Sequence, residues 1–150
     1  IDNFRGTLYR QTMFAEFEYQ VYKAMEGNEP LTLETFKKIY RDLLERYFGS
    51  GVVLDDYLLL ECLRIPHFYF SFYVYKYATG ISAAYALADR VISGGETELN
   101  DYLGFLKSGG SKYPIDLLNS AGVDMLSPEP VKTALATFSA LVDELEQLTQ

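Results

Sequence analysis

The residues best suited to chemistry lie in one run, Arg64-Ile65-Pro66-His67-Phe68-Tyr69-Phe70-Ser71-Phe72-Tyr73-Val74-Tyr75-Lys76-Tyr77-Ala78-Thr79-Gly80. It holds the chain's one histidine, His67, directly after a proline. Seven of the ten residues from Phe68 to Tyr77 are aromatic, four of them tyrosines. Phenylalanine or leucine fills a core without a hydroxyl to satisfy, so tyrosines beside a histidine are hydrogen-bond donors in need of acceptors. A phenol with a pKa of about 10 keeps its proton at neutral pH, so donation is the chemistry such a set offers. The plain alternative is a tyrosine-rich core segment with one satisfied histidine.

Other chemistries find little support. A catalytic zinc site takes three protein ligands, and one histidine, one cysteine and no His-Glu-x-x-His segment do not supply them. Glu16/Glu18 and Asp55/Asp56 are not spaced like a helical metal pair. No serine sits in a Gly-x-Ser-x-Gly turn. Gly109-Gly110 is a weak anion-loop signal without a helix-bound lysine behind it. A net charge of −8 and a pI near 4.6 argue against nucleic acid, because no basic face is available to phosphates. Cys62 excludes an internal disulfide and reads as a small buried apolar residue, which suits a reducing, cytoplasmic location. No apolar run reaches membrane-spanning length, so no membrane partner is expected. The chain opens on Ile1 and falls at once into a helical pattern, which points to a piece of something longer.

The elements that must position the aromatic run are helical. Residues 1 to about 26 carry Phe4, Leu8, Phe14, Phe17, Val21, Tyr22 and Met25 mostly at threes and fours, and Gly27-Asn28 ends them. Arg5, Arg10, Gln11, Glu16 and Glu18 are that helix's polar members, read as solvated charge, and Gly6 marks a possible close approach of another backbone. Thr32 is a helix cap, with Leu31 placed to staple against Phe36. Phe36, Ile39, Tyr40, Leu43, Leu44 and Tyr47 form the following stripe, closed by Gly49. Asp55 or Asp56 caps a brief helix ending near Leu63. Ile65-Pro66 is extended, because proline disfavours the helical region before it. His67 then meets the tyrosines from a non-helical lead-in, with a helix running from about Tyr73 to Ile92 on a stripe of Ile81, Ala84, Tyr85, Ala88, Val91 and Ile92.

Beyond the Ser93-Gly95 break, residues 96–107 form a helix with Leu99, Tyr102, Leu103 and Leu106 inward. A short helix follows from Pro114, closed by Gly122, then an extended linker over 123–130. The last helix spans about 131–148, with Leu135, Phe138, Leu141, Val142, Leu145 and Leu148 as its stripe. The fold class is all-α, a single helical region over 1–150.

Four stretches, Arg10-Gln-Thr-Met-Phe-Ala-Glu-Phe-Glu18, Arg64 to Gly80, Phe105-Leu-Lys-Ser-Gly-Gly-Ser-Lys-Tyr-Pro114 and Ala121-Gly-Val-Asp-Met-Leu-Ser-Pro-Glu-Pro130, resemble, in that order, the oligoendopeptidase F family. These are zinc endopeptidases related to thimet oligopeptidase, and the resemblance covers nearly the whole chain. It implies the C-terminal helical part of a zincin-type catalytic domain. The zinc ligands, a His-Glu-x-x-His pair and a glutamate, would lie upstream, outside this chain, so that these residues alone bind no metal and are inactive. It also implies short peptides as substrates, with the rest of the same protein as partner, and His67 as the family's cleft histidine. Tyr73 and Tyr77, one turn apart, match its tyrosines, and Tyr69 and Tyr75 stand as alternatives because spacing shifts by about one residue between branches. Self-association through a face that the rest of the protein normally covers is a further expectation. The competing reading is a non-catalytic acidic helical module that holds a partner through its tyrosine surface.

Overall fold

A computed structural model describes residues 1–150. The apolar residues recur at threes and fours, glycines and prolines interrupt them, and every regular element is helical. By its internal packing the chain divides into two compact units, Arg5–Ala78 and a second made of Ile1–Phe4 with Thr79–Gln150.

In the first unit, a π-helical stretch, Phe4–Tyr9, runs into α1, Arg10–Glu26. A β-carbon on Gly6 would meet nothing within 4 Å, so the glycine marks no close backbone approach and lies instead in the wide π-turn. Helix α2, Leu33–Phe48, starts as expected, with the Thr32 hydroxyl accepting the Thr35 N–H. It ends at Gly49, whose φ of 70° is the left-handed geometry glycine adopts without strain. Asp55 accepts the Tyr57 N–H at 2.6 Å. A 3-10 turn over Leu58–Leu60 then leads into α3, Glu61–Arg64.

The core of this unit is made by Met13, Phe14 and Phe17 of α1, Tyr40, Leu43 and Leu44 of α2, and Leu59, Cys62, Ile65 and Val74. Ile65 is extended as expected, but His67 lies in a 3-10 helix, Pro66–Phe70, because the fixed φ of Pro66 suits a first helical turn. Ser71 and Phe72 then take positive φ, 41° and 52°. That reversal delays the next helix, α4, Tyr75–Ser93, so Tyr73 stands just ahead of it rather than inside.

The second unit holds the rest of α4, then α5, Glu96–Ser108, α6, Pro114–Ser120, and α7, Glu129–Thr149. Leu87, Ala121 and Val123 form its buried centre, with Tyr102, Phe105, Leu118 and Met125 packed on it, while Phe4 stacks on Tyr85 and Phe138. Three sequence expectations change here. The buried side of α4 is Ile81, Ser82, Ala83 and Leu87, and Ile92 is 83% exposed. Helix α5 packs Tyr102 and Phe105 inward, leaving Leu99, Leu103 and Leu106 in solvent, and Leu135, Leu145 and Leu148 of α7 are likewise exposed. The linker over 123–130 is not extended. Val123 is buried, Asp124 accepts the Leu126 N–H, and α7 begins at Glu129 with Pro130 in its first turn.

Candidate functional site

The site begins with α1, because two carboxyl groups, Glu18 on α1 and Glu61 bound to its Arg10, tie it to the aromatic run. Glu61, at the start of α3, is buried. It accepts the Tyr40 hydroxyl at 2.6 Å and the guanidinium groups of Arg10 at 2.5 Å and Arg64 at 3.1 Å. An ionised carboxylate in a core is tolerated when its lone pairs are used this way. Burial, then the hydrogen bond to Glu61 and its charge, push the Tyr40 phenol far above its ordinary pKa, so Tyr40 is a fixed donor. Arg10 and Arg64 come from two different sequence motifs and meet on one acid.

Glu18 makes the second tie. It is 3% exposed, and one of its oxygens accepts the Phe72 N–H, 54 residues away. Its other oxygen is buried without a hydrogen-bond partner. The reading of Glu18 as solvated charge is therefore corrected: its side faces the core, between Phe17 and Val21 on a cleft, and not water. Phe14 and Phe17 pack on Phe68, ring centroids 5.7 and 5.2 Å apart. Tyr22 stacks on Phe72 at 4.8 Å.

Held from below in this way, three rings gather. His67 and Tyr73 stack with centroids 5.4 Å apart and planes 18° from parallel. Tyr77 meets both edge-on, at 6.1 Å from His67 and 5.7 Å from Tyr73. The Tyr77 hydroxyl lies 3.5 Å from His67 Nε2, at the outer limit of a hydrogen bond. Hydrogen bonding with Tyr73 first, then burial and the Tyr73 charge, raise the Tyr77 phenol above its ordinary pKa. Lys76 places its ammonium 5.0 Å from the Tyr73 ring centroid, within cation–π range. Tyr73 is 37% exposed and His67 and Tyr77 are half-buried, so the cluster opens to solvent.

The other two candidates stand apart from this cluster in different ways. Tyr69, 79% exposed, lines the apolar cleft of about 310 Å³ bounded by Phe17, Glu18, Val21, Leu63 and Phe68. Tyr75 opens α4, about half exposed. Glu18 and Glu61 were missed by sequence reasoning. The one available signal was their place among apolar residues, Phe17-Glu18 and Leu60-Glu61-Cys62, where a charge on a helix face is out of pattern. No group of three His, Cys, Asp or Glu side chains comes together as a metal ion needs. The neighbours of the one histidine are phenols, so these residues do not fit zinc.

The chain as a whole has relatives in sequence and in structure. The chain is 50% identical over 148 residues to oligopeptidase PepF of Bacillus subtilis, covering 99% of itself and 22% of that protein. It is 43% identical to the oligoendopeptidase F homolog of Borreliella burgdorferi, over 100% of itself and 25% of that protein. Among solved structures, oligoendopeptidase-F from Enterococcus faecium superposes with a TM-score of 0.95 at 41% identity, over 99% of this chain and 28% of that one. A putative peptidase from Chlamydophila abortus superposes with a TM-score of 0.86 at 42% identity, over 95% and 24%. The chain thus spans about a quarter of the length of these relatives. Residues 1–137 match peptidase family M3, and the chain belongs to that family.

Proposed function

We propose that His67, Tyr73 and Tyr77 form the donor wall of a peptide-binding cleft in an M3 oligoendopeptidase that hydrolyses short peptides. The single observation that carries this reading is the convergence of the only imidazole and two phenols into one solvent-open cluster. A phenol whose pKa is raised keeps its proton throughout the neutral range. It can therefore donate to a substrate carbonyl and, more strongly, to the oxyanion that develops there. His67 braces both rings and offers its own ring nitrogen to the peptide. Tyr69 and Tyr75, exposed on either side of Tyr73 in sequence, extend the surface along which a peptide lies.

In this reading the 150 residues are the C-terminal helical part of the catalytic domain, and the rest of the protein supplies the zinc site. The relatives' names, oligopeptidase and oligoendopeptidase, support short peptides as substrates. A cytoplasmic location accords with the single, buried, unpaired Cys62. The test is made in the intact enzyme. Tyr77→Phe or Tyr73→Phe should lower kcat by about 100-fold or more, the scale of losing one oxyanion donor, with zinc content by metal analysis unchanged. An unaltered kcat in both variants would remove the phenols from the mechanism.

A further inference from the structure

We propose that Glu18 is a positioning residue for Tyr73, acting as a clamp on the turn that presents it; this rests on the reading of Tyr73 as a substrate donor. Ser71 and Phe72 are consecutive residues with β-carbons, both at positive φ. Such residues stay in that region only where their surroundings hold them. The holding groups all come from α1. Glu18 takes the Phe72 N–H, and Tyr22, one helical turn later, stacks on the Phe72 ring and brings its hydroxyl to 3.4 Å from Ser71 Oγ.

A buried backbone N–H left without an acceptor is costly, so the turn depends on the oxygen that takes it. With Glu18 buried and its second oxygen unpartnered, the Phe72 N–H is the hydrogen-bond donor that meets its carboxyl group. The turn is the covalent link between the 3-10 helix carrying His67 and the residue that stacks on it. Relaxed to negative φ, Ser71 and Phe72 would redirect the chain and lift the Tyr73 ring from the imidazole. A carboxyl group outside the His67–Tyr73–Tyr77 cluster thereby sets where the Tyr73 phenol points.

The experiment uses the intact zinc-loaded enzyme and an internally quenched short peptide, with Glu18→Ala, Glu18→Gln, Tyr73→Phe and the Glu18→Ala/Tyr73→Phe pair. Glu18→Ala should lower kcat at least about 10-fold with KM moved less than about 3-fold. Glu18→Gln, which keeps an oxygen for the Phe72 N–H, should recover most of that loss. Adding Glu18→Ala to Tyr73→Phe should cost less than about 2-fold more, since both act through one ring. A crystal structure of Glu18→Ala should show residues 71 and 72 out of the left-handed region and the His67–Tyr73 stack parted.

Additive losses, or a Glu18→Ala structure that keeps the turn and the stack, would overturn the proposal. Should Glu18→Ala not fold, Glu18→Asp retains the carboxyl group but withdraws it from the Phe72 N–H. The same fall in kcat is then expected, and wild-type kcat overturns the clamp. If Tyr73→Phe alone leaves kcat intact, the donor reading fails instead, and the crystal structure still judges the clamp.

Discussion

Burial of Cys62 in the α1–α2 core pushes its thiol from an ordinary 9.0 up to about 11, against a pull downward from backbone N–H groups. Burial and the hydrogen bond to Glu16 push the Tyr47 phenol from 10.0 up to about 12. Both are acids whose neutral form the fold prefers, so the unfolded chain gives up its protons first as pH rises. Their stabilisation is complete below about pH 9 and is lost as pH climbs through 11 and 12. Thermal melts should show Tm level up to about pH 9 and falling beyond it, and Cys62→Ala should flatten the first part of that fall. A Tm unchanged at pH 11 would contradict the assignment. At this scale the grouping of His67 with Tyr73 and Tyr77 was legible, because one histidine among phenols is a compositional oddity and their rings do gather. Glu18 and Glu61 were not, since a carboxylate's burial depends on partners 54 and 51 residues away.

Helix α2 shows what local sequence decides. Thr32 lies in extended geometry with its hydroxyl on the Thr35 N–H, and Gly49 closes the other end. Thr32→Ala should cost about 1 kcal/mol, read as a lower urea midpoint with unchanged slope, while Thr32→Ser should cost little. Helix α1 carries a different burden. Its Arg10, Phe14, Phe17, Glu18 and Tyr22 each touch the segment from Glu61 to Phe72 or a side chain bound to it. The first and second resembling stretches are therefore one structural unit, a helix and the aromatic run it holds. Helix boundaries followed from caps and breakers, but the start of α4 did not. It waits for the Ser71–Phe72 reversal, whose cause is a side chain on another element.

Taken whole, the chain leaves much apolar surface in water. Ile92, Leu99, Leu103 and Leu106 on α4 and α5 and Leu145 and Leu148 on α7 are exposed, and an apolar trough of about 420 Å³ runs along Ala84, Leu87, Val91, Tyr102 and Phe105. The α4–α5 trough, with Ile92 and Leu106 on its lining, is the kind of apolar surface that another polypeptide covers. Expressed as these 150 residues, the protein should self-associate, with a light-scattering mass that rises with concentration and falls on replacing Leu103 and Leu106 by glutamate. A concentration-independent monomer mass would count against the covered face.

Sequence by itself determined the helices, the Thr32 cap and the aromatic run that supplies His67 and its neighbouring tyrosines. Those rest on periodicity, on glycine and proline geometry, and on side-chain chemistry that each residue carries with it. Tertiary structure alone decided which apolar faces are covered and which charges are buried. It also decided that Tyr73, ahead of its helix, stacks on His67. Each of those outcomes depends on the free energy of contacts between residues distant in the chain, which no local pattern encodes.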